Sequence, residues 1–117
     1  MPSKDPAIYL HDVLDAIDEI ESFLKRMDVT TLEQFAADRL VFHACVRTLE
    51  IISEASRRIP EKTKARHPAI PWADVAAAGN VYRHDYPGVN PVVVWRTITE
   101  SLEPLRAVVQ DELGLLD

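Results

Sequence analysis

Apolar residues recur at helical spacing along nearly the whole of this chain, and no segment alternates convincingly with the period of two that a half-buried strand needs. The pattern predicts an all-α protein. Leu10, Val13, Leu14, Ile17, Ile20 and Leu24 follow one helical face, while Asp12, Asp15, Asp18, Glu19 and Glu21 fall mainly on the others. Asp5-Pro6 is a helix start, an N-cap acid followed by proline in the first turn, so the first helix is expected to run to about Met27. Thr30-x-x-Glu33 and Thr31-x-x-Gln34 both match a capping box. A long helical pattern continues from there to about Ile59, with room for an early break, and Leu40, Leu49, Ile52 and Ile59 mark its apolar side. Pro60 stops or kinks it.

Residues 61–70 read as a short helix or loop, punctuated by Pro68 and Pro71. Small and apolar residues from Trp72 to Val81 form the next helix, which ends in a polar cluster before the turn pair Pro87-Gly88. Asn90-Pro91 opens the last one, with a stripe of Val94, Trp95, Ile98, Leu102, Leu105 and Val109. Val92-Val93-Val94 is β-prone but too short to decide against a helix. Pro104 is expected to kink that helix, because it removes the bond to the carbonyl of Glu100. The sum is four main helices plus short ones. An up-and-down bundle is the economical arrangement for helices joined by short loops. A length of 117 residues fits a single domain over 1–117 with its own core.

A net charge of −6 argues against unspecific binding to nucleic acid. The average hides an asymmetry. Residues 1–37 carry three basic and eight acidic side chains, whereas residues 57–67 carry Arg57, Arg58, Lys62, Lys64 and Arg66 against Glu61 alone. These stretches are either two faces of opposite charge or ordinary solvated surface. The one cysteine, Cys45, leaves no internal disulfide and no cysteine-based zinc site, as suits a reducing cytoplasm. The acidic N-terminus does not resemble a signal peptide. No apolar run approaches the roughly 20 residues that span a bilayer. A cytoplasmic protein without membrane contact is therefore expected. His11, His43 and His67 are isolated, and no carboxylate–histidine pairing has convincing zinc spacing, so neither metal nor another cofactor is expected.

Chemistry concentrates in Gly79-Asn80-Val81-Tyr82-Arg83-His84-Asp85-Tyr86. Asn80 and His84 are four residues apart and share a helix face, and Tyr86 comes next, where the helix should fray. An amide, a guanidinium, an imidazole and a phenol together supply proton-transfer and phosphate-binding groups. The plainer readings are a structural histidine, a tyrosine that packs over the helix end, and a surface or dimer-contact arginine.

Leu49-Glu50-Ile51-Ile52-Ser53-Glu54-Ala55, then Ile70-Pro71-Trp72, then Asn80-x-x-x-His84-Asp85-Tyr86-x-Gly88-Val89, then Val94-Trp95 occur in an order and spacing that resembles the HepT-like toxins of HEPN/MNT toxin–antitoxin pairs, from about Pro6 to Leu113. The resemblance implies a homodimeric HEPN-like helical bundle. It implies a metal-independent ribonuclease, neutralised when a partner minimal nucleotidyltransferase transfers AMP from ATP to a tyrosine. Carried over by position, the family histidine falls on His84, the acceptor tyrosine on Tyr86 and the polar residue on Asn80. Arg47 and Glu54 match further positions often filled the same way. The family arginine falls on Gly79, a departure.

Cleaving RNA without metal requires taking a proton from the 2′-hydroxyl, giving one to the leaving oxygen, and stabilising charge on the phosphoryl oxygens. His84 is the candidate base or acid, and Asn80 a phosphate donor. Arg83 is the candidate replacement cation: it lies four residues after Gly79, and helical side chains lean toward the N-terminus. Arg47 and Glu54 read equally as support for the site or as an internal polar network. The alternative for the whole protein is a catalytically silent homodimeric binding protein that lost cleavage with the arginine at position 79.

Overall fold

The computed structural model describes residues 5–84 and 88–116. All regular structure among them is helical: α1 (Pro6–Arg26), α2 (Leu32–Ala37), α3 (Arg39–Arg57), α4 (Glu61–Ala65), α5 (Trp72–His84), α6 (Pro91–Arg96), a π-helical turn (Thr97–Ser101) and α7 (Leu102–Leu116). None of these helices is long and apolar enough to cross a membrane.

Local chemistry sets most of the boundaries. The Asp5 carboxylate accepts from the Ala7 N–H at 3.0 Å to open α1. The helix ends where Asp28 takes a left-handed φ of 56°, a conformation that aspartate tolerates better than most residues. Of the two capping-box matches, Thr31 with Gln34 is used in full: each side chain accepts from the other residue's backbone N–H. The early break expected in the long second pattern falls at Asp38. Its backbone ends α2, and its carboxylate caps α3 by accepting from Val41 at 3.1 Å. Asn90 opens α6 in the same way, accepting from Val92 at 2.8 Å.

The apolar stripes of α1 (Leu10, Val13, Ala16, Ile17, Ile20) and α3 (Val41, Cys45, Leu49, Ile52) meet in one buried cluster. Helix α3 packs against both α1 and α5, and α7 packs on α1. One expected core residue is not there. Leu40 is 71% exposed, because Val41 and Cys45 carry the buried line of α3 and Leu40 sits a helical step to the side. Burial pushes the Cys45 thiol up to about 12, which keeps it protonated and unreactive.

The bend expected near Pro104 is preceded by the π turn at Thr97–Ser101. That turn moves the hydrogen bonds out of the i→i+4 register just before the proline, whose ring would otherwise strike the carbonyl of Glu100. Helices α6 and α7 thus form one long interrupted rod. With α1, α3 and α5 it makes four main helices, and α2 and α4 are the short ones.

Candidate functional site

Two helices come unusually close at the C-terminal half of α5. The Ser53 hydroxyl on α3 donates to the Ala76 carbonyl at 2.9 Å and accepts from the Gly79 N–H at 3.0 Å. Arg57 also donates to the Ala76 carbonyl, at 2.8 Å. A Cβ on residue 79 would lie 2.6 Å from the Ser53 oxygen and 3.0 Å from its Cβ. Glycine at this position lets α5 lie this close to Ser53, and any larger residue would force the Ser53 side chain or the helices to move.

This close approach determines which side chains of the last turn of α5 face inward. Tyr82 turns toward the core and is buried. The Thr97 side chain lies beside its hydroxyl, and Thr97 itself donates to the Val93 carbonyl at 3.0 Å. Burial pushes the Tyr82 phenol up. With Tyr82 anchored, Asn80, Arg83 and His84 are exposed. Arg83 donates to the Asn80 side-chain oxygen at 2.8 Å. Its other terminal nitrogen lies 3.9 Å from where a Cβ on residue 79 would be, so the guanidinium leans back over the glycine. The bond from Arg83 leaves the Asn80 NH2 group as the part able to donate to a phosphate. Tyr86 lies outside the described residues, as do Asp85 and Pro87.

Arg83 also lines a groove of about 310 Å³ together with Tyr9 and Asp12 of α1 and with Arg47, Glu50 and Glu54 of α3. The structure thus brings Arg47 and Glu54 to the same depression as Arg83. Arg47 holds Glu50 at 3.1 Å, and Arg58 is hydrogen-bonded to Glu54. The bond from Arg58, and then the charges of Arg58, Arg57 and Arg83, hold the Glu54 carboxyl below its usual range despite some desolvation. A fixed carboxylate set among arginines can hold them in place while they face a phosphate.

Most of the basic side chains between Arg57 and Arg66 are engaged within the molecule, and Lys62 is the exposed exception, without an ion pair among the described residues. Arg57 donates to the Ala76 carbonyl of α5, Arg58 is hydrogen-bonded to Glu54, Lys64 is ion-paired with Glu61 at 3.7 Å, and Arg66 is bonded to Glu112. Nor is the acidic side of α1 merely solvated, since Asp18 and Glu21 both pair with Arg106 of α7.

Sequence reasoning missed a second cluster at the far end of α5. Glu112 of α7 is buried, and its oxygens take Arg66 at 2.5 and 3.2 Å and the His67 Nε2 at 2.6 Å. Trp72 donates to the His67 carbonyl at 3.0 Å and fixes that turn. His67, Asp111 and Glu112 place one ligand atom each within 4.8 Å of the others, so they form a possible cation-binding group. A cation there would have to compete with a guanidinium already on both Glu112 oxygens. The cluster is better read as an ion-paired clasp. A glutamate that continues the helical spacing of Leu102, Leu105 and Val109 was the available signal.

An all-helical protein with an exposed histidine, an arginine-held amide and an arginine-lined groove carries the side chains needed to bind phosphate and move protons. The comparisons agree with that class. Residues 13–112 match the family model described as HepT-like ribonuclease, and the chain belongs to that family. It is 39% identical over 98 residues to "Probable ribonuclease HepT" of Thermococcus cleftensis, covering 84% of this chain and 86% of that one. It is 32% identical over 118 residues to "Putative RNase MJ1216" of Methanocaldococcus jannaschii, covering 97% and 95% of the two chains. It is 33% identical over 110 residues to "Putative RNase TTE0752" of Caldanaerobacter subterraneus subsp. tengcongensis, covering 94% and 96%. No solved structure matches the chain significantly.

Proposed function

We propose that this chain is the toxin half of a HEPN/MNT-type toxin–antitoxin pair and acts in the cytoplasm as one HepT-like domain. It cleaves RNA without a metal ion, as a homodimer. Its partner is a minimal nucleotidyltransferase that neutralises it by transferring AMP to Tyr86. The observation that carries this reading is the Asn80–Arg83 pair beside the exposed His84, with Arg83 also lining the groove that holds Arg47 and Arg58. His84 takes the 2′-hydroxyl proton or supplies the leaving-group proton. Arg83 and the Asn80 amide stabilise charge on the phosphoryl oxygens. The C-terminal end of a helix carries partial negative charge, which disfavours an anion, so the guanidinium is needed to draw a phosphate there. A second copy of the same segment facing it across a shared cleft would supply a further imidazole and cation.

One observation favours a second reading, a silent homodimeric binding protein. The position of the family arginine is packed so closely against Ser53 that no side chain fits without movement. Both readings meet one experiment. Purified protein in EDTA is expected to cleave RNA, and His84→Ala is expected to abolish cleavage. Equal cleavage by both proteins would mean a contaminant or another site, and no cleavage by the wild type would favour the silent dimer. Mass spectrometry after co-expression with the partner nucleotidyltransferase should find AMP on the peptide containing Tyr86, and none in Tyr86→Phe. Full neutralisation of an unmodified toxin would remove the AMP-transfer step from the account.

A further inference from the structure

The groove beside Arg83 is larger than a phosphate needs. Its floor is one face of α3, where Ile51 and Ala55 supply apolar surface. One wall is Tyr9 and Asp12, a helical turn apart on α1, and the other is Arg83. Its volume of about 310 Å³ suits a flat heterocycle rather than an ion. The charges are arranged unevenly. Glu50 and Glu54 each hold an arginine. Asp12 is exposed, and among the described residues it is paired with no arginine.

We propose that this groove is a nucleobase subsite, and that it selects guanine in the nucleotide next to the scissile phosphate. The proposal rests on the ribonuclease reading above and adds the base preference of the same site. Single-stranded RNA is recognised by stacking unpaired bases on aromatic rings and hydrogen-bonding their Watson–Crick edges. Tyr9 offers the ring, with Ile51 completing the apolar contact. Asp12 offers a carboxylate, which when ionised only accepts hydrogen bonds. Guanine presents two adjacent donors on that edge, its ring N–H and its amino group, and both oxygens of one carboxylate can accept them together. Adenine and cytosine present one amino donor beside an acceptor, and uracil one N–H between two acceptors, so each would face Asp12 with at least one repulsive contact. Arg83 stands between the groove and the His84 region and ties the base-bearing nucleotide to the phosphate being cleaved. Arg58, held by Glu54, lies along the same floor and can take the next phosphate.

Two measurements test the subsite separately from the reaction. The first is binding of the four nucleoside 3′-monophosphates to the His84→Ala protein, monitored by amide NMR. The 3′-GMP is expected to bind at least about tenfold tighter than the other three, roughly the discrimination of one good edge contact, and to shift the Ile51 and Ala55 signals. Asp12→Asn is expected to erase that preference. Tyr9→Ala is expected to weaken all binding, and Tyr9→Phe, which keeps the ring, to restore it. Affinities for the four nucleotides within twofold of each other would overturn the proposal. The second is sequencing of cleavage sites in a random RNA pool by the wild type and by Asp12→Asn. A guanine bias in the wild type that disappears in the variant supports the subsite. Cleavage without base preference overturns it and leaves the ribonuclease reading standing. Selective 3′-GMP binding by a protein that cleaves nothing leaves the groove standing as a base site and overturns its assignment to a cleavage reaction.

Discussion

Gly79 shows how one residue can be read in two ways. By position it is a lost cation; by packing it is what lets α5 lie against Ser53. The two readings make different predictions. If glycine were only a lost functional group, Gly79→Ala would stabilise α5 by about 1 kcal/mol through helix propensity. The 2.6 Å approach to the Ser53 oxygen predicts the opposite. Overpacking of this kind typically costs about 1–3 kcal/mol, so Gly79→Ala should be net destabilising in urea titrations. Pairing it with Ser53→Gly, which removes both clashing atoms, should recover part of the loss. Additive effects in that double-mutant cycle would contradict the packing reading. Gly79→Arg alone is therefore a poor way to restore a missing guanidinium.

At the scale of elements, the caps were legible in the sequence and the partners of each face were not. Asp5, Thr31 with Gln34, and Asn90 act within a few residues of themselves, so the local pattern was enough. Asp38 joins two helices with one side chain and one backbone N–H. Asp38→Ala should cost about 1 kcal/mol, a typical N-cap loss, in denaturant titration. Leu40 was misassigned because an apolar residue just off a stripe looks like part of it until the neighbouring helix is in place. The roles of Arg66 and Glu112 were hidden because they are 46 residues apart in sequence. Their clasp has a pH signature. Arg66, and after it His67, holds the Glu112 carboxyl below its ordinary value of 4.5. A depressed folded value means that the stabilisation is full above 4.5 and is lost as pH falls through the lower folded value. Glu112→Gln should therefore cost about 1.5–3 kcal/mol at pH 7, the range for hydrogen bonds to charged groups. The gap from wild type should shrink at the acidic end of a pH series of denaturation curves. A gap independent of pH would contradict the clasp.

For the whole molecule, the four-helix architecture followed from periodicity, because burying a stripe on each helix leaves few arrangements. The cluster at the end of α5 was visible too, since Asn80, Arg83 and His84 are near neighbours in sequence. The groove was not, because Tyr9, Asp12, Arg47 and Arg83 come from three helices. Arg83 links the two regions: it leans over Gly79, holds Asn80 and lines the groove. If it supplies the missing cation, cleavage survives in this chain and depends on that side chain. The most direct test is kcat/KM for a defined RNA in EDTA, comparing wild type with Arg83→Ala and Arg83→Lys. A loss of about 100-fold or more is predicted for Arg83→Ala, the usual effect of removing one charge-stabilising donor, with partial recovery in Arg83→Lys. Unchanged cleavage by Arg83→Ala would contradict the assignment of Arg83 as that cation.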